Sequence, residues 1–98
     1  MLKKAVSKNG KKCRVTFELP AEVDAETAVL CGDFNDWDVE AQPMKQRKDG
    51  TFYTAVSLVT GQTYQFRYLL DGERWENDWE ADGYVPNTHG TENSVLEV

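Results

Sequence analysis

Three stretches of this chain alternate apolar and polar residues with a period of two, and no long window carries the period of a helix. Residues 12–19 place Cys13, Val15, Phe17 and Leu19 on one side and Arg14, Thr16 and Glu18 on the other, ending at Pro20. Residues 51–58 set Phe52, Thr54, Val56 and Leu58 against Tyr53, Ala55 and Ser57. Residues 63–70 align Tyr64, Phe66, Tyr68 and Leu70 opposite Gln65, Arg67 and Leu69. Successive side chains leave opposite faces of a sheet, so this rhythm is that of half-buried strands. Further strands are expected over 27–32, near 43–47 around Met44, and over 94–98.

Turn residues punctuate these runs: Lys48-Asp49-Gly50, Gly61-Gln62 and Asp71-Gly72. Residues 73–93 read as one long acidic, turn-rich connection, and 21–26 as at most a turn of helix. Six or seven short strands at regular spacing predict an all-β fold, an antiparallel β-sandwich. The 98 residues suffice for one modest core. That domain is assigned to 12–98. Residues 1–11, with Lys3, Lys4, Lys8 and Lys11 and little apolar surface, read as a basic, flexible N-terminal tail.

Charge and composition remove several function classes. A net charge of −6 is unsuited to a nucleic acid or an anionic membrane, since phosphate binding needs a basic face. No apolar run approaches the roughly 20 residues of a membrane helix, and no secretory signal follows the first lysines. Cys13 and Cys31 are too few and too far apart for a disulfide scaffold or a zinc site, so a cytoplasmic setting is expected. The alternation points Cys13 inward and Cys31 outward, which keeps the two thiols apart.

Catalysis has little to stand on. His89 is the single histidine, and no Gly-x-Ser-x-Gly is present. Glycoside hydrolysis needs two carboxylates roughly 5 to 9 Å apart across a cleft, and a sandwich of this size spends its interior on its core. Asp78-x-Glu80-x-Asp82-Gly83 resembles the opening of a calcium loop, but its twelfth position is His89 where a bidentate glutamate is required. No metal, cofactor or enzymatic activity is expected.

The loop aromatics say more. Phe34, Trp37, Trp75, Trp79 and Tyr84 fall in or beside turns, among Asn, Asp and Thr. They could plug the ends of the sandwich. Alternatively they form a flat apolar platform with polar groups at its rim, which suits a sugar ring with its C–H face and its hydroxyls. Composition leaves both readings open.

Three segments in register resemble one family. Gly32-Asp33-Phe34-Asn35-Asp36-Trp37 looks like the G-x-F-N-x-W turn of the family 48 carbohydrate-binding modules. These include the early-set domains of isoamylases and the glycogen-binding domain of the AMP-activated protein kinase beta subunit. Tyr64-Gln65-Phe66-Arg67-Tyr68-Leu69-Leu70-Asp71-Gly72-Glu73-Arg74-Trp75 resembles the family's aromatic hairpin, and Gly90-Thr91-Glu92-Asn93-Ser94-Val95-Leu96-Glu97-Val98 its closing strand. The resemblance implies an immunoglobulin-like sandwich of about seven strands that binds α-glucan chains (glycogen, starch or maltodextrin) without catalysis. Trp37 and Trp75 would then stack on sugar, while Arg67, Thr91 and Asn93 meet hydroxyls and His89 lodges against the chain. The sequence departs from the pattern in Arg67 for lysine, in one extra residue before Trp75, and in Trp79 for proline. Trp79 would be an added platform or a local plug. Other early-set domains have lost sugar binding and brace a partner, such as a family 13 glycoside hydrolase or a regulatory protein. Val29, Cys31, Tyr53 and Leu69 would form that docking face.

Overall fold

The alternating stretches become the long strands. A computed structural model describes residues 2–98. In chain order its strands are β1 (Leu2–Val6), β2 (Lys12–Leu19), β3 (Ala28–Gly32), β4 (Lys45–Gln46), β5 (Phe52–Val59), β6 (Thr63–Leu70), β7 (Arg74–Glu76), β8 (Gly83–Pro86) and β9 (Glu92–Glu97). They pair antiparallel in two sheets, one ordered β1-β2-β5-β4 and the other β3-β6-β9-β8, with β7 also on β6. The result is the immunoglobulin-like sandwich that the sequence implies.

The predicted inward residues make the core. Val15, Phe17 and Leu19 of β2 are buried with Leu30, Phe66, Tyr68, Leu70 and Leu96 of the facing sheet. Phe17 meets Phe66 edge-on at 5.1 Å between ring centroids, and Phe66 meets Tyr68 at 5.6 Å. Each such buried side chain contributes about 1.5–3 kcal/mol.

Where a flexible tail is expected, the structure has an edge strand. Leu2, Lys4 and Val6 lie opposite Phe17, Val15 and Cys13, on the core side of the sheet. Lys4 reaches across the gap between sheets to Asp82 at 2.6 Å. An inward lysine interrupts the apolar rhythm, which is why the strand does not read as one. The same charge discourages edge-to-edge pairing with another chain.

Residues 73–93 likewise hold more structure than a connection. They contain β7 and β8, hung on a buried aspartate. Asp78 is fully buried, accepting the Tyr68 hydroxyl at Oδ2 (2.8 Å) and the Glu80 amide at Oδ1 (2.8 Å). Its own N–H donates to Ser94 Oγ at 3.0 Å. Burial first, and the Asp78 charge second, push the Tyr68 phenol well above its ordinary pKa, so it stays a donor.

Both cysteines are free and buried. Cys31 does leave β3 on the side away from the core, yet its Sγ lies 3.6 Å from the Asp38 carbonyl under the segment after the first turn. Burial, then Asp38, raises the pKa of its thiol. The supposed docking face is covered in part. Leu69 is buried opposite Trp75, Val29 is bridged by Pro43, and Tyr53 lies under the Arg47 guanidinium at 4.4 Å.

Candidate functional site

Since β6 turns Phe66, Tyr68 and Leu70 to the core, it must turn Gln65, Arg67 and Leu69 outward. Phe66 pairs with Ser94 and Tyr68 with Glu76, so β6 exchanges β9 for β7 as neighbour at Arg67. Arg67 therefore stands at a junction, with Asn93 to one side and Trp75 to the other.

Trp37 is mounted by the turn after β3. Gly32 has no alternative there: a Cβ would stand 2.7 Å from the Gln65 carbonyl and 2.9 Å from the Phe34 ring. Phe34 packs back towards the core, 5.7 Å from Phe17 and 6.0 Å from Tyr64. Asn35 ties the turn to β3, its Oδ1 accepting the Gly32 N–H (3.0 Å) and its Nδ2 donating to the Leu30 carbonyl (2.9 Å). The chain then passes through two left-handed residues, Asp36 (φ 57°) and Trp37 (φ 58°). A bulky side chain rarely adopts that conformation, and Asp33 holds it there. Asp33 Oδ1 accepts the indole Nε1–H at 3.0 Å while Oδ2 accepts the Gln65 N–H at 2.8 Å.

Trp75 is mounted differently. It lies on three-residue β7, opposite Leu69, and is 42% exposed. The hairpin behind it turns through left-handed Asp71 and Gly72. Asp71 Oδ1 accepts the amides of Glu26 (2.8 Å) and Thr27 (3.0 Å). These amides hold its pKa below the ordinary carboxylate value. Arg67 places its guanidinium 5.8 Å from the Trp75 ring centroid, within cation–π range.

The third wall is the β8–β9 connection, organised by Asn87. Its carbonyl accepts the N–H groups of His89 (2.9 Å) and Thr91 (3.2 Å). Its amide donates to Thr91 Oγ1 (2.8 Å) and Asn93 Oδ1 (3.0 Å), and Asn93 Nδ2 passes on to Gln65 Oε1 (3.0 Å). Arg67 Nη1 makes only a long contact to Thr91 Oγ1 at 3.4 Å. Arg67 Nε has no hydrogen-bond partner among the described residues.

These walls enclose an open groove of about 710 Å³, lined by Trp37, Arg67, Trp75, Asn87, Thr88, His89, Thr91 and Asn93. Over residues 14–98 the sequence matches the family described as the glycogen recognition site of AMP-activated protein kinase. The chain belongs to that family. Comparison with curated proteins gives no match.

In this glycogen-recognition domain the groove gathers six of the residues expected from sequence: Trp37, Arg67, Trp75, His89, Thr91 and Asn93. Trp79 is the exception. It is 51% exposed, yet it does not line the groove. Its position follows from burial of the preceding Asp78, which roots that turn between the sheets. Asn87 and Thr88 escape the sequence reading, although Asn87 three residues before Gly90 is a side-chain-capped turn signal. In the Asp78–Gly83 run the Asp78 carboxylate accepts from Tyr68 and Glu80. No helix among the described residues is long and apolar enough to cross a membrane.

Proposed function

We propose that this domain binds α-glucan chains non-catalytically, with sugar rings stacking on Trp37 and Trp75. The observation that carries this reading is two indoles lining one groove whose remaining walls are hydroxyl, amide, guanidinium and imidazole groups. The attachment points of the two rings, Gln65 for the Asp33 clamp and Leu69 for Trp75, lie four residues apart on β6, or about 13 Å. Arg67, Thr91, Asn93 and the Asn87 amide meet hydroxyls as donors and acceptors, and His89 borders the chain.

Lack of catalysis is part of the same proposal. None of the lining residues is a carboxylate, so the acid/base pair of a glycosidase has no place in the groove. A cytoplasmic setting fits the two free thiols. Glycogen, starch or maltodextrin would each present the necessary helical or extended chain. The competing reading, a docking domain without sugar, has less support from the face named for it, because Cys31 and Leu69 are buried while Val29 and Tyr53 are half-buried.

Titration with maltoheptaose, followed by tryptophan fluorescence, tests the proposal. A shallow platform should bind between millimolar and micromolar, about 4 to 8 kcal/mol. Trp37→Ala and Trp75→Ala should each weaken binding about 10-fold or more while thermal unfolding stays cooperative. Silence at several millimolar sugar would end the proposal.

A further inference from the structure

The groove is acid-free in an acidic protein. Seventeen Asp and Glu residues outnumber eleven Lys and Arg across the chain. Among the residues that line the groove, however, the only groups able to carry charge are Arg67 and His89. Acidic residues stand next to lining residues in sequence, namely Asp36 and Asp38 beside Trp37, Glu76 beside Trp75 and Glu92 beside Thr91 and Asn93. None of them reaches the lining. Asp33, which touches Trp37, has both oxygens engaged, one by the indole and the other by the Gln65 amide.

Arg67 is also unlike Arg47 and Arg74. Arg47 closes on Glu18 at 2.6 Å, and Arg74 lies 4.0 Å from Asp71 and donates to two backbone carbonyls. Arg67 has no carboxylate partner among these ion pairs. Its contacts are the long one to Thr91 and the face of Trp75, and Nε has no partner among the described residues. A half-buried guanidinium with spare donors matches an anion, since planar paired N–H groups fit carboxylate or phosphate oxygens. Thr88, Thr91, Asn87 and Asn93 add neutral donors around the same point.

We propose that the groove prefers a glucan carrying a phosphate monoester, held by Arg67 with His89 beside it, over the unmodified chain. This rests on the α-glucan reading above and narrows its ligand. The indoles take the sugar rings, and the phosphate sits between them above the junction where β6 exchanges β9 for β7. The anion is thus read only in the context of a chain.

The test compares maltoheptaose, the same oligosaccharide bearing one 6-phosphate, and glucose 6-phosphate, by calorimetry at low salt. The phosphorylated chain should bind about 10-fold tighter than the neutral one. Raising ionic strength to about 1 M should shrink that ratio, since the Debye length falls to about 3 Å. Arg67→Gln should bring the ratio close to one, whatever it does to neutral binding, and Arg67→Lys should restore part of it. Equal affinities for the two chains in the native protein would overturn the preference and leave the α-glucan reading standing. Glucose 6-phosphate binding as tightly as the phosphorylated chain would also overturn it, by showing a site for small sugar phosphates. Failure of both chains to bind would remove the α-glucan reading and this inference together.

Discussion

The two groove tryptophans are held by unlike means. Trp37 belongs to a turn welded to the core: Phe34 packs on Phe17, Asn35 grips β3, and Asp33 fixes the indole nitrogen to the β6 backbone. Trp75 rides on a three-residue strand at the tip of a hairpin, tethered through Asp71 and covered by one guanidinium. On the α-glucan reading proposed above, the first ring would be pre-set and lose little freedom on binding, while the second, with fewer ties, would adjust to the sugar it meets. A platform with one fixed and one adaptable ring fits a polymer whose repeat is regular and whose local twist varies.

The strongest way to break this contrast is Gly32→Ala. The new methyl would meet the Gln65 carbonyl at 2.7 Å, a backbone atom that cannot swing aside. We expect a loss of about 2–3 kcal/mol in urea unfolding, in the range of overpacked cores. A loss below about 0.5 kcal/mol, the scale of ordinary surface changes, would show that the Trp37 turn is not part of the core.

Asp33→Ala sharpens the contrast from the other direction. It removes two hydrogen bonds, each with a net contribution of about 1 kcal/mol, and it frees the left-handed indole. Acrylamide quenching of a variant with Trp37 as its only tryptophan should rise, and maltoheptaose affinity should fall several-fold. Unchanged quenching would mean that the backbone alone aims the ring.

Acid should act on the second mount. Asp71 titrates below its ordinary value because of the Thr27 and Glu26 amides. Glu18 is lowered chiefly by the Arg47 hydrogen bond. At Asp82 burial works to raise the pKa, but the Glu97 amide and Lys4 outweigh it and the net shift is downward. A folded pKa below the unfolded one means that the stabilisation is complete above the unfolded value, about pH 4. It drains away as pH falls through the lower folded values. The melting temperature should therefore drop on acidification below about pH 4, and quenching of Trp75 should rise with it. Asp71→Asn should remove part of this response; an unaltered acid limb would show that Asp71 does not govern the hairpin.

Trp79→Ala should do least. Outside the groove and exposed, it should change maltoheptaose affinity less than twofold and stability by under about 0.5 kcal/mol. A loss comparable to that of Trp75→Ala would extend the binding surface past the groove.

The sequence made β2, β5 and β6 legible because each carries a long apolar alternation against a buried face. It hid β1, where Lys4 occupies an inward position, and β7 and β8, which are too short to show a period. Cys31 shows a related limit. Alternation told which side of β3 it leaves, but not that the segment around Asp38 folds over that side. The groove lining was legible as a set of residues and not as an arrangement. Trp79 reads from the sequence as an added platform or a local plug, and it stands outside the groove beside buried Asp78. Asn87 and Asp33 act by organising neighbours, and such duties leave no mark in composition.

Strand β6 divides two kinds of selection between odd and even positions. Phe66, Tyr68 and Leu70 answer to the volume and shape of the interior, whereas Arg67, with Asn93 beside it, faces the groove and would answer to the ligand proposed above. Exchanging the outward members leaves the interior's fit untouched, so ligand preference in such a domain can drift, be lost or be re-engineered while the scaffold persists.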